Sequence, residues 1–270
     1  MSERYAVITG ASSGIGLELS RELAKERYDL ILIARKRDKL RDLSDDLSKR
    51  YNISVDYIDF DLTKINELDS LVGKVLDITK SIDLLINNAG AGIYGPLQSL
   101  RDEDIINVVN LNYVSPILFT KKLLPYIVNR RGCIVNIISI AAYMPIPMLE
   151  IYSSTKAAIS IFTRALRIEL KPYSVRVIGV YPGYVDTPFH TNIIKALDKE
   201  ILKKPNRLFV VRPDQVAKEV IDKIKDKSFN DDIVVSRIYL LPAFFATKLP
   251  KLVEYYIEHR YQKEFFRNKK

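Results

Sequence analysis

A tyrosine and a lysine four residues apart, Tyr152 and Lys156, could together perform acid–base chemistry. Residues at i and i+4 of a helix lie on one face, so these two side chains can reach the same spot. A phenol keeps its proton to about pH 10, and a nearby ammonium group favours the phenolate. Tyr152 could then exchange a proton with an oxygen that Ser139 hydrogen-bonds. The alternative is a surface pair with Ser139 merely ending a strand.

A glycine-rich turn near the amino terminus could bind phosphate. An apolar run from Tyr5 to Thr9 leads into glycines whose spacing lets the backbone turn sharply and approach a pyrophosphate at the start of a helix. The alternative is an ordinary strand-to-helix turn. The residues predicted to contact a dinucleotide here are Gly10, Ser12, Ser13, Gly14, Ile15 and Gly16.

The end of the second apolar run bears on which dinucleotide binds. A carboxylate about 20 residues after the glycines would bind a free ribose 2′-hydroxyl. Arg35, Lys36 and Arg37 stand there instead, and a guanidinium matches a 2′-phosphate in charge and geometry. The sequence therefore favours NADP over NAD; the alternative is that these cations only begin a solvated helix.

The elements that must position these residues alternate between short apolar runs and longer amphipathic segments. Strands are predicted at Tyr5 to Thr9, Leu30 to Ala34, Ser54 to Ile58, Asp83 to Ile86, Cys133 to Ile138, Val175 to Tyr181 and Ile233 to Val235. Helices are predicted at Gly14 to Glu26, Lys36 to Tyr51, Leu68 to Thr79, Asp102 to Val128, Tyr152 to Leu170 and Pro213 to Lys225. This alternation predicts a doubly wound parallel α/β sheet, Rossmann-like, in a single domain with helices on both faces.

Composition restricts the class of protein. With 270 residues, 47% of them hydrophobic and 28% charged, the chain fits one globular α/β domain. Its single cysteine, Cys133, cannot form an internal disulfide, and we expect a cytoplasmic protein. No ligand set at metal spacing appears, so we expect a metal-free reaction. Lys and Arg outnumber Asp and Glu by 42 to 33. The sequence contains no block of five or more Lys or Arg residues, so we expect no nucleic-acid partner.

Taken together, the motifs resemble the short-chain dehydrogenase/reductase family in its subtype of about 250 residues. The turn from Thr9 to Gly16 is similar to the family's cofactor turn, and Asn87-Asn88-Ala89-Gly90 is similar to its central-strand motif. The order and spacing of the family's catalytic tetrad are matched by Asn112, Ser139, Tyr152 and Lys156. The resemblance implies an NADP(H)-dependent oxidoreductase acting on a carbonyl or a secondary alcohol. The rival hypothesis is a catalytically silent NADP-binding regulatory or scaffold protein.

The resemblance also implies roles for single residues. Lys156 would hold the nicotinamide ribose, and Asn112 would anchor a water that links Lys156 to solvent, with Asn110 as a second candidate for that position. The further cofactor contacts that it implies are Asp61, Leu62, Asn88, Ala89, Gly90, Pro182, Gly183, Val185 and Thr187, beside Tyr152 and Lys156 themselves.

Substrate is expected to meet three segments, Ala91 to Gly95, Ala141 to Ile151 and Tyr184 to Leu208, at the carboxyl edge of the sheet. Their apolar side chains favour a hydrophobic ketone or aldehyde as substrate. The substrate site would contain a cation able to bind a substrate carboxylate only if Lys195 or Arg207 folded inward.

Residues 237–270 form an extension to the catalytic domain predicted over residues 1–236. The extension combines aromatic and aliphatic residues with eight Lys or Arg and three acidic residues. It could anchor the protein on a membrane surface or form a subunit contact. We expect the subunit contact, in a homodimer or homotetramer, over the membrane.

Overall fold

The computed structural model describes residues 4–191, 193–195, 206–226 and 231–267. The strands in chain order are β1 (Tyr5–Thr9), β2 (Asp29–Ala34), β3 (Val55–Asp59), β4 (Leu84–Asn87), β5 (Ile93–Tyr94), β6 (Cys133–Ile137), β7 (Arg176–Tyr181), β8 (Tyr184–Val185), β9 (Ile194–Lys195), β10 (Val210–Val211) and β11 (Asp232–Val234). The helices are α1 (Gly14–Lys25), α2 (Arg37–Tyr51), α3 (Leu68–Ile78), α4 (Asp102–Val109), α5 (Ser115–Asn129), α6 (Glu150–Leu170), α7 (Pro213–Lys225), α8 (Leu240–Lys248) and α9 (Pro250–Arg267).

Seven strands form one parallel sheet in the order β11-β7-β6-β4-β1-β2-β3. The predicted doubly wound Rossmann-like fold is therefore confirmed. The strand order reverses between β1 and β4, and ligands of such sheets bind in the crevice at that point. The glycine turn after β1 and the Asn87-to-Gly90 segment at the end of β4 lie on either side of it.

Both faces of the sheet are buried, which explains why its strands lack polar alternation. In β1, Ile8 packs with α1, α2 and α7 on one face, whereas Val7 packs with α3, α5 and α6 on the other. Leu19 of α1 and Phe119 of α5 are fully buried within these two cores. The helices thus hold the strand ends, and the residues that follow them, in fixed positions.

The structure corrects one predicted helix. Residues 102–128 were expected to form a continuous helix, but α4 ends at Val109, and a π-helical turn, Asn110–Val114, precedes α5. An apolar pattern does not reveal the extra residue of such a turn, because apolar residues continue through it at nearly helical spacing. The other predicted helices and the main-sheet strands shift by at most two residues at either end.

Two small parallel pairs, β5 with β9 and β8 with β10, were not predicted. Strands of two residues are too short to show a period. The carboxyl-terminal extension forms α8 and α9, and none of the helices in the described ranges is long and apolar enough to span a bilayer.

Candidate active site

The turn between β1 and α1 depends on its glycines. Gly10 and Gly14 have φ angles of 67° and 56°, which residues with side chains rarely adopt. A Cβ atom on Gly16 would lie 2.3 Å from the Gly10 carbonyl oxygen. Ser13 precedes α1 and makes no capping hydrogen bond to a described residue. The amides of the first helical turn are therefore free to bind an anion.

The predicted cofactor residues Asn88 and Ala89 hold this turn in place. The Asn88 Nδ2 atom donates to the Thr9 and Gly10 carbonyl oxygens at 2.9 and 3.2 Å. The backbone amides of Asn88 and Ala89 both donate to the Thr9 hydroxyl, at 3.0 and 3.1 Å. Sequence analysis gave Thr9 no role of its own, although a threonine ending the strand before the first glycine was the available signal.

The residues after β2 and β3 follow the two strands that lie on one side of β1 in the sheet. Arg35 is exposed and has no ion pair within the described part of the chain, whereas Arg37 pairs with Asp59 at 3.8 Å. Asp61 accepts from the backbone amide and the hydroxyl of Thr63 at 3.0 and 2.9 Å, and Leu62 beside it is buried. Arg35 is thus available to an anionic ligand.

The three residues expected to perform the chemistry come together between the carboxyl end of β6 and the amino end of α6. Ser139 follows β6, and its Oγ accepts from the Ala141 amide at 3.1 Å. Lys156 is buried, donates to the Ile137 carbonyl oxygen at 3.0 Å, and places Nζ 5.8 Å from the centre of the Tyr152 ring. Tyr152 and Lys156 therefore share one face of α6, as the sequence predicted.

Burial controls the protonation of this pair. It raises the pKa of Tyr152 to about 12, while a hydrogen bond with Ser139 acts in the opposite direction. It lowers the pKa of Lys156 to about 8. The expected lowering of the Tyr152 pKa is not found in this structure, because desolvation has the largest effect on the phenol and raises its pKa. At neutral pH Tyr152 is a proton donor beside a lysine that is mostly charged.

Asn112 lies in the π-helical turn between α4 and α5 and is buried. Its amide exchanges two hydrogen bonds of 2.9 Å with the Ala91 backbone and donates to the Thr155 hydroxyl at 3.1 Å. A Cβ atom on Gly90 would lie 3.2 Å from Asn112 Oδ1 and 3.5 Å from Lys156 Nζ. Of the two candidate asparagines, the structure thus brings Asn112 next to Lys156. Thr155 was missed by the sequence analysis.

The segment after β8 packs against Tyr152. The Phe189 ring centre lies 5.7 Å from that of Tyr152, and a Cβ atom on Gly92 would meet Ile193 and Phe189 at 2.9 and 3.1 Å. Lys195 and Arg207 are both exposed, so neither folds inward in the described structure. Residues 192 and 196–205 of the predicted substrate segment lie outside the described residues.

The Pro182-to-Thr187 segment lies beside the glycine turn. The Thr187 methyl group is 3.1 Å from where a Cβ atom on Gly14 would lie, and Val185 is buried in β8. The Tyr239 ring packs directly on Gly183, where a Cβ atom would lie 2.0 Å from it.

The hydroxyl of Tyr239 holds two further segments. It accepts from the Tyr184 amide at 3.0 Å and donates to the Phe209 carbonyl oxygen. The carboxyl-terminal extension therefore contributes a residue that supports this side of the site. The sequence analysis missed it because nothing in the extension's composition distinguishes Tyr239 from its other aromatic residues.

Comparisons with known proteins find similarity along most of the chain. A family model described as short chain dehydrogenase matches residues 4–198. Dehydrogenase/reductase SDR family member 7B of Xenopus tropicalis is 29% identical over 271 residues, covering 98% of this chain and 87% of that protein. Very-long-chain 3-oxoacyl-CoA reductase of Bos taurus is 34% identical over 188 residues, covering 68% of this chain and 60% of that protein. A solved alcohol dehydrogenase from Thermococcus sibiricus, complexed with 5-hydroxy-NADP, has a TM-score of 0.78 at 28% identity and covers 88% of this chain and 98% of its own.

Proposed function

The chain belongs to the short-chain dehydrogenase family, and we propose that it is an NADP(H)-dependent reductase of hydrophobic ketones or aldehydes. The observation that carries this proposal is the grouping of Ser139, Tyr152 and Lys156 around one spot at the carboxyl edge of the sheet. The glycine turn and the uncapped start of α1 fit the pyrophosphate of a dinucleotide.

The bound cofactor would supply hydride to the carbonyl carbon, and the chain's own groups manage the charge that builds on the oxygen. Tyr152 Oη donates the proton, which its raised pKa keeps in place at neutral pH. Ser139 Oγ donates a hydrogen bond to the same oxygen. The Lys156 cation favours the phenolate left on Tyr152, and Asn112 next to it would anchor the water that returns a proton.

The activity is tested with Tyr152→Phe. This variant should fold and bind NADPH but lose turnover by about 10²-fold or more, because the proton donor is gone while the ring remains. Tyr57→Phe, in the edge strand β3, is the matched control. NADPH oxidation is followed against ketones, aldehydes and diketones of increasing chain length. Full activity in Tyr152→Phe would overturn the proposal.

For the cofactor, we propose that Arg35 binds the 2′-phosphate of NADP. Its support is the exposed guanidinium after β2, which forms no ion pair with a described residue, and the similarity to a structure complexed with 5-hydroxy-NADP. Arg35→Ala should raise KM for NADPH at least about tenfold and change KM for NADH little. Arg37→Ala, which removes a guanidinium already paired with Asp59, should leave the preference in place. Equal effects of Arg35→Ala on both cofactors would exclude this contact.

The substrate proposal rests on the apolar walls of the site. Phe189 and Ile193 cover Gly92, and the exposed Lys195 and Arg207 offer no inward cation. The similarity to a protein named very-long-chain 3-oxoacyl-CoA reductase supports a carbonyl carried on a long apolar group.

We further propose a homo-oligomer that works in the cytoplasm. Its support is a pair of exposed residues on α6, Ile161 and Ile168, which lie seven residues apart on one face and would be covered by a second subunit. Light scattering of the purified chain measures the subunit count.

A further inference from the structure

Helix α8 is oriented with its small residues inward and its large apolar residues outward. Ala243 and Ala246 are buried against the domain. The outward face carries the large apolar residues of the helix, all exposed: Leu240, Leu241, Phe244 and Phe245. A surface helix of a soluble protein normally has the opposite arrangement. This face of α8 is therefore built to contact an apolar phase outside the domain.

Helix α9 and the link to α8 extend the same surface. Leu249 and Leu252 are exposed, as are Tyr255 and Tyr256, which share a helix face with Leu252. Of the sixteen exposed large apolar side chains in the described part of the chain, nine lie between residues 240 and 261. We call the outward side chains of residues 240–256 the outer face of α8–α9.

Cations lie within this face. Lys248 and Lys251 are exposed between the two apolar clusters, and within the described structure neither forms an ion pair. Residues 237–270 carry eight Lys or Arg against three acidic residues. Aliphatic and aromatic side chains mixed with lysines match the boundary between lipid headgroups and acyl chains, where tyrosine rings and lysine amines are both solvated.

The charge distinguishes between two possible occupants of the outer face. A twofold contact between copies would bring this surface against itself, so the net positive charge that Lys248 and Lys251 leave after Glu254 is counted would stand on both sides of the contact. An anionic bilayer instead attracts each cation. We propose that the outer face of α8–α9 docks on the surface of a membrane containing anionic phospholipids. This departs from the subunit contact that the sequence favoured for the extension.

Docking of this kind leaves the helices lying in the interface, since neither described helix can span the bilayer. A groove of about 590 Å³ separates α8–α9 from the 141–147 segment, with Met144 and Ile146 on one wall and Ala246 and Val253 on the other. Its lining also includes the carboxylates Glu150 and Glu254. The groove lies on the inner side of α8–α9, between these helices and the expected substrate segment.

The test is flotation of the full-length protein with vesicles. One set is phosphatidylcholine alone, and the other contains about 30% phosphatidylserine. Wild type should float with the anionic vesicles. Leu241→Glu/Phe244→Glu should lower the bound fraction at least about tenfold. The matched control is Leu97→Glu/Tyr173→Glu, which adds the same charge at sites of similar exposure, 58% and 57% against 65% and 56%. Circular dichroism and NADPH oxidation check that both variants fold.

Each outcome decides the question. Loss of flotation in the α8 variant but not in the control supports the proposal, as does weaker preference for phosphatidylserine in Lys248→Gln/Lys251→Gln. Wild type remaining unbound to anionic vesicles overturns it, as does equal loss in the control variant. If light scattering shows that Leu241→Glu/Phe244→Glu splits an oligomer while wild type does not float, the occupant is a second copy and the membrane is excluded.

Discussion

Lys156 is a buried cation that the fold must tolerate. Its side chain is 5% exposed, and burial lowers its pKa from 10.5 to about 8. The unfolded chain therefore binds this proton more tightly than the folded one between these two values. By linkage, the buried charge of Lys156 lowers the free energy of unfolding at pH values below 8. This destabilisation decreases as the pH rises toward 10.5. The role proposed for Lys156 beside Tyr152 accounts for a charge at this unfavourable position.

Lys156→Met should therefore stabilise the protein while abolishing turnover. The lowered pKa corresponds to a destabilisation of the folded state by about 3 kcal/mol, which the substitution would remove. The substitution would also lose the hydrogen bond to the Ile137 carbonyl oxygen, at a cost of about 1 kcal/mol. We expect the free energy of unfolding at pH 7 to rise by about 2 kcal/mol in urea titrations, with the gain shrinking by pH 10. The exposed Lys121→Met is the control and should change little. A destabilised Lys156→Met variant would contradict this account.

At the residue scale, motif spacing predicted which side chains would meet but not the environment in which they meet. Tyr152, Lys156 and Ser139 were predicted from their order and spacing. The direction of the Tyr152 pKa shift was not predicted, because it depends on how far neighbouring groups such as the Phe189 ring exclude solvent, which local sequence does not encode.

At the element scale, the π-helical turn Asn110–Val114 is what turns Asn112 inward. Because such a turn accommodates one extra residue, a regular helix through this point would rotate all the residues that follow by about 100° relative to the observed arrangement. The seven main strands were predictable because burial on both faces makes each one a short, continuous apolar run. The turn was not predictable, since its stability comes from the bonds of Asn112 to Ala91 and Thr155, which are distant in sequence.

Substituting two glycines with alanine tests how the surrounding structure determines the effect of an added side chain on stability. Gly16→Ala should abolish cofactor binding and lower the melting temperature, because its Cβ atom would overlap the Gly10 carbonyl oxygen. Gly73→Ala is the opposite case: it lies exposed in α3 with no atom within 4 Å of the new Cβ. It should stabilise the protein by about 0.5–1 kcal/mol, a rise of a few degrees in thermal denaturation. Equal effects of the two substitutions would contradict the packing described for the turn.

At the scale of the whole molecule, the Tyr239 side chain joins the extension to the site. The Tyr239 ring covers Gly183, and its hydroxyl joins Tyr184 to Phe209. Three segments distant in sequence therefore meet at one phenol beside the Pro182-to-Thr187 segment, which lies next to the glycine turn. Sequence periodicity carries no information on such a junction, because it is made between segments rather than within one.

Tyr239→Phe tests whether this junction positions the cofactor segment. Loss of the hydroxyl leaves the Tyr184 amide and the Phe209 carbonyl oxygen without this partner, so the free energy of unfolding should fall by about 1–3 kcal/mol. Because the segment is held less firmly, KM for NADPH should rise several-fold, about as a 1 kcal/mol loss of binding would give, while kcat changes less. Tyr255→Phe, whose ring is exposed on α9, is the control and should alter neither quantity. If Tyr239→Phe lost stability with KM unchanged, Tyr239 would be a structural residue only, because a positioning role requires the cofactor to sense its hydroxyl.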